Sequence, residues 1–110
     1  MNNIADVNVL LFQRYIEVIE SAEAGTAMDP FSEDPRLSLK NLKWMCRVGI
    51  EQAKTMTVDK ASRWLGFVQG CLASRRLLLV DEEREFTRPL FHEVYKSSAD
   101  GTPETLVREE

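Results

Sequence analysis

The 110-residue chain is 44% hydrophobic and 29% charged, the proportions of one soluble globular domain able to bury a core without disulfide staples. No apolar run approaches the roughly 20 residues that span a bilayer, and the opening MNNIADVNVLLF lacks a basic region and a small-residue cleavage site, so a cytoplasmic protein is expected. A net charge of −4 argues against a general polyanion binder, but residues 38–77 alone carry +6 between flanks of −5 each.

The spacing of Ile4, Leu11, Phe12, Tyr15, Ile19 and Ala22 predicts a first helix from about Ile4 to Ala24, with Gly25 as its C-terminal cap. Glu17, Glu20 and Glu23 crowd its C-terminal half, where the helix dipole disfavours acids, so a basic neighbour is expected beside them. TAMDPFSEDPRLS, residues 26–38, is broken twice by Asp-Pro and reads as an irregular crossover, with Phe31 as its anchor to the core.

Ser38 caps a second predicted helix that runs to about Met56. Leu39, Leu42, Cys46, Ile50 and Ala53 form its inner stripe, and Gly49 within that stripe marks a close crossing. Lys40, Lys43, Arg47 and Lys54 line up on another face within about 60° of arc, with Trp44 alongside and away from the core. That face is either an ordinary solvated surface or an anion-facing stripe with an aromatic edge.

Thr57 opens a third predicted helix, TVDKASRWLGFVQGCLASRRLLLV, around which the rest is expected to pack. Ala61, Trp64, Leu65, Val68, Cys71 and Leu72 share one face, while Gly66 and Gly70 lie opposite with Arg63 and Ser74 beside them. Two glycines inside a helix imply close backbone approach, either an internal helix crossing or the seam of an isologous homodimer. LLLV, residues 77–80, reads as the helix end running into a tight connector. Pro89 predicts a broken fourth element: a short turn at Asp81–Glu85, then a helix capped by Thr87 and stapled by Phe86 against Phe91. The expected fold is all-α, a compact bundle of four main helices in a single domain at residues 1–97, followed by a flexible, disordered acidic tail at 98–110.

From Leu39 to Tyr95 the wording NLKWMC, DKASRWLGFVQGCL and VDEEREFTRPLFHEVY resembles a group of small accessory proteins encoded by tailed phages and prophages. The resemblance covers about half of the chain and leaves out the first helix and the tail. It implies a product made early in infection, acting in the host cytoplasm by binding and modulating a host factor. It assigns no catalytic residue.

Recognised chemistry is absent from the sequence. Gly66 and Gly70 have no phosphate-loop context, His92 is the one histidine and falls on an outer face, and no nucleophile elbow exists. Cys46 and Cys71 lie on apolar faces, too far from each other and from His92 for any recognised metal spacing, and read as free buried thiols. No cofactor, metal or enzymatic activity is therefore expected. Helices two and three lack the glycine turn of a DNA-reading pair, and Asp59 would face phosphate, so nucleic acid is not an expected partner. Two functions remain. The first is a protein–protein interaction module using Lys40, Lys43, Trp44, Arg47, Lys54 and Arg63, with Gly66 and Gly70 as a helix-crossing or dimer face. The alternative is a binder of a small anionic ligand or nucleotide on the same tryptophan-edged basic face, drawing also on Arg75, Arg76 and Arg88.

Overall fold

The computed structural model describes residues 3–25, 27–31 and 33–96. Four helices follow in order: α1 (Ile4–Glu23), α2 (Leu39–Glu51), α3 (Val58–Ser74) and α4 (Val80–Lys96), with a single 3-10 turn (Pro35–Leu37) before α2. No strand occurs among the described residues, and the all-α bundle stands. The acidic tail expected at 98–110 lies outside the described residues.

Side-chain caps set the helix starts. Asn3, Ser38 and Thr57 each accept a hydrogen bond from the backbone N–H three residues on (Asp6, Asn41 and Lys60, at 2.9, 3.1 and 3.1 Å), which satisfies donors that the helix cannot. The ends depart more from expectation. Ala24, not Gly25, is the cap residue of α1. α2 stops at Glu51 instead of Met56, and residues 52–56 form turns in which the Thr55 hydroxyl donates back to the Gln52 carbonyl.

α1, rather than α3, is the helix the others surround. Val7, Leu11, Phe12, Tyr15 and Ile19 are all fully buried, and α1 touches α2, α3 and α4. Leu42, Met45 and Cys46 meet it from α2, and Leu65, Val68 and Leu72 from α3. The close crossing expected at Gly49 is real: a methyl group there would lie 2.4 Å from the Phe12 ring. α4 is continuous through Pro89, which corrects the expected restart at Thr87. The missing Pro89 N–H would have met the Glu85 carbonyl, and Glu85 is exposed, where water can replace that bond. No staple forms. Phe86 lies under the Arg14 guanidinium, 3.8 Å from its ring centroid, while Phe91 packs on the core.

Candidate functional site

The outer surface where α2 and α3 meet carries both tryptophans. Trp44 is 56% exposed, as its place off the core stripe predicts. Its ring centroid lies 6.2 Å from that of Trp64, with the planes tilted by 39°. Trp64 packs partly on the core from the same position, so one indole is braced and the other presented. Lys60 holds its ammonium 5.2 Å from the Trp64 ring, and exposed Lys40 stands one turn before Trp44. Sequence reasoning placed Trp64 with the core and missed the pair. The available signal was symmetry: both tryptophans stand about equally far from the 52–57 turn, so antiparallel helices bring them side by side.

The basic stripe does not survive as one surface. Lys43 donates to Glu23 at 2.6 Å with its side chain only 18% exposed, and Arg47 reaches Glu20 at 3.9 Å. These are the basic neighbours that the acidic end of α1 required. Lys54 lies in the turn beyond α2, because the helix ends early, and does not extend its face. Arg63 turns to Asp59 on its own helix at 3.2 Å. Trp44, Trp64, Lys60 and Lys40 therefore make the coherent face, with Lys43 and Arg47 as its partly neutralised edge.

Gly66 and Gly70 lie open, with nothing within 4 Å of a methyl group built at either. The internal helix crossing expected at them is thus overturned: α1 and α2 both pack on the opposite side of α3, where the apolar side chains are. A groove of about 380 Å³ runs beside them, bounded by Phe31, Leu37, Phe67 and Cys71. Its wall is fixed by Arg75, its side chain only 4% exposed, which donates to both carboxylate oxygens of Asp29 (2.9 and 3.0 Å) and to the carbonyls of Cys71 and Leu37. Phe31 is not among the residues packed on the core, where the sequence placed its anchor; its ring lies against the same guanidinium, 4.9 Å away, so Arg75 is what ties the crossover down. Arg75 holds the Asp29 carboxyl below its usual value and is not free to bind a ligand.

One polar cluster is internal. Glu83, 7% exposed, receives Arg14 Nη2 at 3.0 Å and the Tyr15 hydroxyl at 2.5 Å, and Gln69 donates to that hydroxyl at 2.7 Å. Burial chiefly, with Glu83 beside it, pushes the Tyr15 pKa up. Burial likewise pushes the Cys46 thiol up to about 12 and raises Cys71, where Arg75 opposes the shift. Both thiols are free, Cys46 buried and Cys71 half-buried. Among the described residues no group of three or more His, Cys, Asp or Glu could hold a metal ion, and no helix is long and apolar enough to cross a membrane. No protein-family description, curated protein or solved structure matches the chain.

Proposed function

We propose that the chain is a small, non-catalytic protein–protein interaction module that engages its partner through the Trp44–Trp64 face. The resemblance to phage accessory proteins makes a host-cell protein the partner of choice, with binding in the host cytoplasm. The observation that carries this reading is Trp44, more than half exposed and braced on a second indole. A rigid tryptophan presents a large apolar contact at little conformational cost, and such residues dominate interface energetics.

Shape favours a protein over a small molecule. Small-ligand sites are concave, and the groove beside Gly66 and Gly70 lies away from the tryptophan pair. Lys60 already covers the Trp64 ring, where a nucleotide base would stack. Charge points the same way. Glu20 and Glu23 sit at the edge of the face and repel a polyphosphate, while Lys40 and Lys60 suit scattered carboxylates on a protein.

Affinity capture from a bacterial lysate with wild-type chain and with Trp44→Ala tests the reading. One stoichiometric protein, retained by the wild type and lost with Trp44→Ala at unchanged melting temperature, is the expected result. Equal retention by both chains refutes the face, and a nucleotide co-purifying in place of a protein transfers the assignment to the anionic-ligand alternative.

A further inference from the structure

The break between α3 and α4 is made without any of the residues that usually stop a helix. From Ser74 to Glu83 the chain reads SRRLLLVDEE, with no glycine, proline or asparagine to stop a helix. Leucine and arginine are among the better helix formers. Yet α3 ends in a Schellman turn, in which Arg76 N–H bonds to the Ala73 carbonyl and Leu77 N–H to the Leu72 carbonyl, both at 2.9 Å. Arg76 takes φ 62°, the left-handed position that a glycine normally fills at such a turn. The turn is held by its flanks, Arg75 tied to Asp29 and Leu78 buried in the core.

α4 is also lightly seated. Glu83 is its single buried side chain among the described residues, and it is a carboxylate held by Arg14 and Tyr15. Leu90, Phe91 and Val94 pack only partly on the core. Grooves run along both sides of its first turns, one of about 780 Å³ against α1 and one of about 250 Å³ against α3.

We propose that α3 and α4 can straighten through residues 75–79 into one helix, and that two copies of the chain then exchange α4. Glu83 of each copy would enter the Arg14–Tyr15 site of the other. A continuous helix over 58–96 would be about 58 Å long at 1.5 Å per residue. Two such helices crossing at their centres carry each α4 to the opposite body and close a twofold dimer. The occupant is a second copy because the vacated seat asks for one pattern: a carboxylate for Arg14 and Tyr15, followed by apolar residues at the positions of Leu90, Phe91 and Val94. Another copy's α4 carries that pattern in register. Exchange restores every contact of α4, so closed monomer and exchanged dimer differ mainly at the 75–79 connector and by concentration.

The connector supplies the test. Arg76→Gly removes the conformational cost of the turn and penalises the straight helix, whereas Arg76→Ala keeps both as they are. Light scattering should show a dimer of the full-length wild type after refolding at high concentration. Arg76→Ala should dimerise alike, and Arg76→Gly should associate at least about tenfold more weakly. Exchange is separated from simple surface pairing by a distance within one chain, read between labels at exposed Ser62 and His92 in dimers that carry one labelled copy. The straight helix sets the two sites about 45 Å apart, and a distance unchanged from that of the monomer means that the fold-back is kept. A wild type that stays monomeric after such refolding overturns the proposal. So does a dimer with the monomer's distance, or an Arg76→Gly chain that associates as strongly as wild type.

Discussion

A methyl group at Gly49 would strike the Phe12 ring at 2.4 Å, while one at Gly66 or Gly70 would meet nothing within 4 Å. The same residue type thus does opposite things on two helices. Gly49→Ala must push the Phe12 ring, a fully buried side chain in the middle of α1, and should cost about 1–3 kcal/mol. Gly70→Ala adds no clash and removes the backbone entropy of a helical glycine, so it should gain roughly 0.5–1 kcal/mol. Urea unfolding of the two variants reads both signs. A neutral Gly49→Ala would show that the α1–α2 crossing is looser than described. The cysteines differ in a similar way. Cys46, with its thiol pushed up to about 12 and no exposure, should resist alkylation in the native chain at pH 8, while half-buried Cys71 reacts slowly beside it. Mass spectrometry after a timed pulse of reagent distinguishes them, and equal labelling would contradict the burial of Cys46.

At the level of elements, the crossover at 26–38 is tied to α3 through Arg75, which pairs with Asp29 and also donates to the Leu37 carbonyl. Asp29 has its pKa lowered by the hydrogen bonds from Arg75, so its contribution is present above the ordinary aspartate value near 4 and is lost as pH falls through the lowered folded value. Asp29→Asn should therefore be less stable than wild type at neutral pH, with the gap closing as both chains are taken to about pH 2. A gap that stays constant across that range would mean the carboxylate charge is not what anchors the loop. Two helix starts were legible in the sequence, because a cap is a local device: Ser38 and Thr57 are recognised from their own side chains and the pattern after them, whereas for α4, which starts at Val80, the local pattern points to Thr87 instead. What escaped depends on distant residues. Pro89 argues locally for a break, yet α4 runs through it because Glu83 and Phe91 on either side are both docked. Trp64 fits a core stripe, and only the antiparallel pairing of α2 with α3 reveals its contact with Trp44. Arg75 reads as a free surface cation until Asp29, far earlier in the chain, is brought to it.

Across the whole molecule, the +6 middle and −5 flanks suggest a basic patch awaiting an anionic partner, but much of that charge is answered within the chain. Lys43 and Arg47 of α2 lie beside Glu23 and Glu20 of α1, and Arg75 of α3 beside Asp29. The segregation along the sequence is partly what holds the middle helices to the first one. Reversing Lys43 and Arg47 to glutamate is therefore a stability experiment before it is a binding experiment. It would set two new acids against Glu20 and Glu23, and Lys43 is shielded enough for solvent to screen that repulsion poorly. A loss of roughly 1–2 kcal/mol is expected, since exposed pairs are worth little and the Lys43 pair somewhat more. That corresponds to a melting temperature lower by about 4–12 °C, and added salt should recover part of it. The cleaner probe of the interaction face is Lys40→Glu with Lys60→Glu, two cations on the tryptophan side. That pair should shift stability by no more than about 0.5 kcal/mol each while weakening capture of an acidic partner. If instead Lys43→Glu with Arg47→Glu leaves the melting temperature unmoved and abolishes binding, those two side chains belong to the partner, and the acids of α1 are not their principal counterions.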